Sequence, residues 1–423
     1  MALTTLTTAP APQGLRGGGP LWPWWSREAH LAVGRLLQSG DMAAAGAGHP
    51  QIDTCEELAA RILAPGRRVM LCDSGTGALE AAYAALRLEP GSDVLVASHS
   101  FRATATAMLG QGLRPVLCDA DAASGGIDLD DAAARLTPRT VALTVTHTWG
   151  RPVPLDAVRH FCGRHGLALV ADCSHAHGLA WRGRPAGLTG DVSVFSLGTW
   201  KMVSGGKAGL LATADRAVWE RALALSQPKH RALARVRDER LRALAATGAG
   251  HNRRPTPVAA VLVADHLRRL PQTLAAKTAR QQAVEALLAS RLPALTPLPA
   301  PAGRTGGALY KWHWRTDAAD APVERVVRAL RAAGIRAGTP ARPLHELPLF
   351  ADPHLAPALG LDVPPAAPDS FPGTARLLAG LVEIDTRDMY APLPAGVPDP
   401  YDRALSTAAA HLANSRTREP EDR

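Results

Sequence analysis

The stretch RVMLCDSGTGALEAAYAALRL, residues 68–88, decides the fold class. Its first five residues are an apolar run of strand length. Ser74-Gly75-Thr76-Gly77 then breaks the run, and a block of Ala, Leu and Glu follows in which helix formers dominate. The same alternation continues outward. DVLVAS (93–98) precedes ATATAMLGQG (103–112), PVLCDA (115–120) precedes LDDAAARL (129–136), and VALTVTH (141–147) precedes LDAVRHFCGRHG (155–166). LALVAD (167–172), DVSVFSL (191–197) and GLLAT (209–213) complete the series of strands. Strands and helices in strict turn predict an α/β fold: a mainly parallel sheet with helices on both faces.

Outside this core the pattern changes. Residues 1–20 read as a flexible arm, and LWPWWSREAHLAVGRLLQSGD (21–41) as an aromatic cluster with a short helix. Trp22, Trp24 and Trp25 either line a substrate entrance or pack a dimer. Beyond about residue 215 the reading is helical, through RALARVRDERLRALAA (231–246) and VAAVLVADHLRRL (258–270). A proline-rich stretch at 291–307 marks a boundary. ALYKWHWRTD (308–317), VERVVRALRAAG (323–334) and IRAGTP (335–340) then form the strand, helix and strand of a smaller α+β domain. The expected division is an arm and first helix at 1–50, a large domain at 51–290, a small C-terminal domain at 300–414, and a disordered tail at 415–423.

Composition narrows the class. With 423 residues, 46% hydrophobic and 20% charged, the chain reads as a soluble globular protein. No apolar stretch is long enough to span a membrane, and the N-terminus lacks the pattern of a secretory signal. The net charge of +9 rests on scattered arginines without a nucleic-acid-binding signature, so it argues for a solvated surface and no nucleic-acid partner. Cys55, Cys72, Cys118, Cys162 and Cys173 match no zinc spacing, sit largely in apolar runs, and fit reduced thiols in a cytoplasm.

In an open parallel sheet ligands bind beyond the carboxyl ends of the strands. Here those ends carry Ser74-Gly75-Thr76, Ser100-Phe101, Asp172 and Ser196. Lysine is scarce: five against 42 arginines, Lys201, Lys207, Lys229, Lys277 and Lys311. Lys201 follows a strand in FSLGTWK (195–201), and Asp172 ends an earlier one in VADCSHAHG (170–178). A lysine and an acid so placed suit a pyridoxal 5′-phosphate site. The lysine carries the cofactor covalently and the acid keeps the pyridine nitrogen protonated. Gly75 and Thr76, at a helix start, fit a phosphate cradle as well as an ordinary turn. Phe101 suits a ring stacked on the cofactor as well as a core position. His175 is placed to bond the ring oxygen, Ser196 to hold the phosphate. Lys207 is the competing lysine.

Taken together, these residues resemble the DegT/DnrJ/StrS family of pyridoxal phosphate-dependent sugar and cyclitol aminotransferases. SGTGAL (74–79) is similar to its phosphate turn, SFRATATAMLGQGLRPVLCDAD (100–121) to its next block with Phe101 as the stacking aromatic, and TPRTVALTVTHTWGRPVPLDAV (137–158) to a His-x-x-Gly-x-Pro stretch that begins at His147. GHNRRPTPVAA (250–260) resembles the segment whose asparagine, here Asn252, reaches the phosphate of a partner subunit. RAAGIRAGTPARPLHELPLF (331–350) resembles the small-domain segment with a substrate-side histidine, here His345. The resemblance implies fold type I, the aspartate aminotransferase fold, and a homodimer with shared sites. Asp172 and Lys201 are then catalytic, and Gly75, Thr76, Phe101, Asp172, His175, Ser196, Lys201 and Asn252 bind the cofactor. His147, His345 and Lys207 lie on the substrate side, and no metal is expected. L-Glutamate or L-glutamine would donate an amino group to a keto sugar, nucleotide-linked, or to a keto-cyclitol in natural-product biosynthesis. Three positions depart from the pattern: Lys207 replaces a glutamate, Pro340 or Ala341 a tyrosine, and Ala171 an acid. The Lys207-Ala208 departure motivates one alternative, elimination, decarboxylation or cyclisation on the same cofactor; a second alternative is a cofactor-binding regulator without turnover.

Overall fold

The computed structural model describes Leu15 and residues 21–42, 48–317, 319, 321–393 and 396–416. Seven strands form the large sheet: β1 (Arg68–Cys72), β2 (Asp93–Ala97), β3 (Arg114–Cys118), β4 (Thr140–Thr146), β5 (Ala168–Asp172), β6 (Val192–Ser196) and β7 (Gly209–Thr213). Their order is β1-β7-β6-β5-β4-β2-β3. β7 runs against both its neighbours, and every other adjacent pair is parallel. The expected mainly parallel sheet is therefore present, with one reversed strand.

The strands are largely apolar because both faces are covered. Successive side chains point to opposite faces, so each strand feeds two cores. Leu71, Leu95, Leu143, Leu169, Phe195 and Leu210 join one cluster, together with Val263 and Leu267 of the helix Pro257–Arg291. Their alternates Met70, Val94, Val96, Val170, Val194 and Leu211 join a second cluster, against the helices Gly75–Leu86 and Arg216–Ser226.

The smaller sheet is antiparallel. It comprises β8 (Leu295–Pro297), β9 (Trp312–Thr316), β10 (Ala337–Gly338) and β11 (Leu381–Ile384), in the order β8-β9-β11-β10. Trp312, Trp314, Leu330 and Leu405 fill its core. Two departures from simple segment boundaries bear on the site. The helix Pro257–Arg291 serves both cores, since Val284 and Leu288 at its far end pack with Trp314. Leu344, Phe350 and Phe371 pack into the large-domain cluster, although a reading by segment places them in the small domain. The proline-rich stretch carries β8, and the helical reading of 231–246 resolves into Lys229–Arg235 and Glu239–Ala246. The arm, except Leu15, and residues 417–423 of the tail lie outside the described residues. Ser415 and Arg416 belong to the helix Pro400–Arg416. Among the described residues no helix is long and apolar enough to cross a membrane.

Candidate active site

Asp172 is the last residue of β5 and is 2% exposed. The Thr104 hydroxyl donates to its Oδ2 at 2.7 Å and the Ser174 backbone N–H to its Oδ1 at 3.0 Å. Two donors on two oxygens hold the carboxylate in one orientation.

Lys201 lies in the turn after β6, its backbone N–H on the Gly198 carbonyl at 3.0 Å. Its Nζ stands 4.8 Å from the centre of the Tyr310 ring. Burial pushes its pKa down to about 8; Asp172 opposes the shift and Lys311 adds to it. A lysine so poised is nucleophilic and basic near neutral pH. Trp22, 1% exposed, donates its indole N–H to the Lys201 carbonyl at 2.8 Å and stacks on Tyr390 at 4.5 Å. It packs within its own chain, against the very turn that carries the lysine.

The helix Gly75–Leu86 begins at Ser74, whose Oγ accepts from the Gly77 N–H at 3.0 Å. A Cβ on Gly75 would stand 2.7 Å from Ser196 Cβ, so only glycine lets this helix start approach β6. Free N–H groups at a helix start and the Ser196 hydroxyl suit an anion. A cavity of about 190 Å³ runs between this cradle, Asp172 and Lys201, and Lys207 also lines it. With an acid at one end, an anion cradle at the other and a lysine in the wall, the donor set fits pyridoxal phosphate. Among the described residues no His, Cys, Asp and Glu cluster is arranged to hold a metal ion.

A second cavity of about 510 Å³ adjoins the first, and Phe101, His175 and Lys201 line both. Tyr310, Lys311, Glu383 and the exposed Arg102 and Arg342 also line it. Glu383 pairs with Lys311, and its Oε2 accepts from His313 Nε2 at 3.2 Å. Burial works against its charge, but the His313 and Lys311 contacts outweigh burial and hold the carboxyl below its usual range.

The other residues singled out in the sequence have different places. Phe101 is 50% exposed, with the Arg102 guanidinium 4.9 Å from its ring centre. The His175 ring lies on Tyr310 at 4.4 Å, and its Nδ1 accepts from the Trp149 N–H at 3.2 Å. Burial holds its pKa well below the usual value, so the ring is neutral. His147 lines neither cavity. Its Nε2 meets Thr189 Oγ1 at 3.1 Å and its Nδ1 accepts from the Val153 N–H at 3.3 Å, so both nitrogens are used inside the fold. His345 also lines neither cavity; it bonds Ser98 and stacks on Phe371 at 4.4 Å. Asn252 is exposed with a left-handed φ of 51°, next to Arg253, whose carbonyl accepts from the Asp73 N–H at 3.0 Å. Lys207 is exposed at the edge of the first cavity. Sequence reasoning did not single out Thr104, Ser174, Tyr310, Lys311 and Glu383. Thr104 alone carried a signal: it lies one turn beyond Phe101, at the start of the helix Arg102–Leu109.

The geometry is that of a pyridoxal phosphate-dependent enzyme of fold type I. The chain matches the DegT/DnrJ/EryC1/StrS aminotransferase family over residues 26–365 and belongs to that family. It is a pyridoxal 5′-phosphate-dependent aminotransferase. It is similar to the L-glutamine:scyllo-inosose aminotransferase of Streptomyces griseus, at 34% identity over 78% of this chain and 82% of the relative. It is also similar to the L-glutamine:2-deoxy-scyllo-inosose aminotransferase of Streptoalloteichus tenebrarius, at 36% identity over 46% of each chain. The solved structure of 3-amino-5-hydroxybenzoic acid synthase shares the fold, with a TM-score of 0.77 and 23% identity over 96% of this chain and all of that one.

Proposed function

We propose that this enzyme moves an amino group from L-glutamine, or from L-glutamate, to a keto-cyclitol. One observation carries the reading: Lys201 stands in the wall shared by a cofactor-sized cavity and a second, polar cavity. Bound in the first, pyridoxal phosphate supplies an electron sink that makes an α-proton of the donor labile. Asp172 would hold the protonated pyridine nitrogen, with Thr104 and Ser174 keeping the carboxylate aimed. The Gly75 and Thr76 N–H groups and the Ser196 hydroxyl hold the phosphate. With the cofactor in place, Lys201 Nζ would take the α-proton from the donor and carry it through the transfer. In the second half-reaction it runs the transfer backwards on the acceptor. His175 and Phe101 line both cavities and would orient the cofactor ring.

The names of the two relatives favour glutamine as donor and an inosose as acceptor. A nucleotide-linked keto sugar is the second reading, favoured by Arg102 and Arg342 at the mouth of the substrate cavity, where guanidinium groups suit a diphosphate. The exposed Asn252 supports a homodimer in which it reaches the partner's phosphate. The buried thiols of all five cysteines fit a reducing cytoplasm.

The test is the visible absorption of the purified holoenzyme. L-Glutamine without acceptor should bleach the cofactor band, and scyllo-inosose or 2-deoxy-scyllo-inosose should restore it with release of the aminated product. A band that glutamine and glutamate both leave untouched would sink the reading. A band restored only by nucleotide-linked keto sugars would select the second one.

A further inference from the structure

Two polar atoms beside Lys201 have no partner in the fold. His99 follows β2 and is 5% exposed; Thr148 follows β4 and is 5% exposed. His99 Nδ1 and Thr148 Oγ1 are buried without a hydrogen-bond partner, and both residues line the 510 Å³ cavity. Among the described residues, no other such orphaned side chain lines that cavity. Buried polar atoms are nearly always paired, because leaving one unpaired forfeits the hydrogen bond it made with water. Two in one pocket wall mark groups reserved for what enters the pocket.

Their chemistry limits what that is. Burial pushes the His99 imidazole down to about 4, so it is neutral at physiological pH. The Gly125 backbone favours a donating nitrogen on the ring, and with Nδ1 unpartnered in the fold that nitrogen is Nε2. With the one proton of the neutral ring so used, Nδ1 is left with a lone pair and no hydrogen. It accepts from an O–H or N–H and has nothing to offer a carboxylate or phosphate. The Thr148 hydroxyl both donates and accepts. The His99 ring is fixed edge-on to Trp149 at 4.4 Å, and Trp149 packs on His313 at 3.8 Å, so the acceptor has one orientation.

We infer that His99 and Thr148 form a hydroxyl-reading subsite that fixes specificity for the amino acceptor, His99 Nδ1 accepting from one ring hydroxyl and Thr148 Oγ1 bonding a hydroxyl of the same ring. This rests on the keto-cyclitol reading and deepens it, because a cyclitol presents hydroxyls around its whole ring. The subsite acts in the second half-reaction and has no part in the chemistry at Lys201.

His99→Gln retains a donor at the place of Nε2 and deletes the acceptor at Nδ1. Thr148→Val deletes the hydroxyl and keeps the shape, and Thr148→Ser restores it. In the holoenzyme, bleaching of the cofactor band by L-glutamine should be unchanged in all three. The KM for scyllo-inosose should rise about three- to tenfold in His99→Gln and Thr148→Val, the loss of one hydrogen bond each, and return towards wild type in Thr148→Ser. The thermal midpoint of Thr148→Val should not fall, since the deleted hydroxyl holds nothing in the fold. Unchanged KM values in an enzyme that aminates scyllo-inosose would overturn the subsite and leave the aminotransferase reading standing. So would a lowered midpoint with unchanged KM, which marks a structural role. A wild-type enzyme bleached by glutamine that fails to aminate scyllo-inosose overturns the cyclitol reading and this subsite with it.

Discussion

The cavity that holds Ser74, Asp172 and Ser196 is built mainly from turns that each follow a strand of the large sheet, whereas the cavity that holds His99, Lys311 and Glu383 gathers its walls from loops of that sheet and from the small sheet. In the first, chain order and sheet register do the placing. Thr146 pairs with Asp172 and Asp172 with Val194, so an acid at the end of β5 must emerge between the ends of β4 and β6. In the second, β9, β11 and the segment around residues 339–347 have to dock against the large domain before a pocket exists. Local structure thus makes the cavity proposed for the cofactor, and long-range packing makes the one proposed for the substrate. The first kind accepts few changes without loss of chemistry; the second is where specificity can change.

Breaking the first cavity should have the largest effects. Lys201→Ala removes the group proposed to move the proton, and turnover should fall by at least about 10³-fold with loss of the cofactor's lysine-bound band; stopped-flow absorbance checks both. If Lys201→Ala still transaminates, Lys207 becomes the candidate. Asp172→Asn should cost on the order of 10²-fold in kcat with little change in acceptor KM. Thr104→Val deletes a hydrogen bond to a charged group, about 1.5–3 kcal/mol, and should lower kcat by roughly tenfold or more by loosening Asp172. An unchanged kcat would show that Ser174 alone suffices.

The pH dependence sharpens the comparison further. Uptake of pyridoxal phosphate by the apoprotein needs the neutral amine of Lys201, so its rate should rise with pH through about 8 and level off above. Asp172→Asn removes the charge that opposes the lowering, so the inflection should move to lower pH. Because the folded pKa is depressed from 10.5, Lys201 penalises the apo fold below about pH 8. That penalty is relieved as pH rises from there to about 10.5, and Lys201→Met should flatten the rise in a denaturation series. The smallest functional effect should come from His147. His147→Phe breaks two internal hydrogen bonds and should lower stability by about 1–3 kcal/mol in urea unfolding while leaving both KM values near wild type. A changed substrate KM would return His147 to the substrate side.

Legibility followed the same division. Lys201, Asp172, Ser196, Gly75 and Thr76 were readable because each sits at a punctuation point between an apolar run and the next element. The class of sheet already says which end of a strand faces ligand. Glu383 and Lys311 were not readable. They lie inside or beside strands of the small sheet, with ordinary charged neighbours, and nothing local distinguishes them from a solvated face. His147 shows the converse: it follows β4 at the ligand-facing end of the sheet, yet its ring turns inward to Thr189 and Val153. Strand position sets where a residue emerges, but side-chain direction depends on which neighbour supplies the partner.

By itself the sequence determined the alternation that makes the parallel sheet, the scarce lysine and the acid at its strand ends, and the glycine turn that opens the helix after β1. These follow from short-range periodicity and sterics. Tertiary structure alone decided that Trp22 braces the turn of Lys201, that Thr104 aims Asp172, and that His99 and Thr148 share one pocket wall without partners. Those contacts join residues far apart in the chain, and their energy exists only once the two domains and the long helix between them have closed the polar groups off from water.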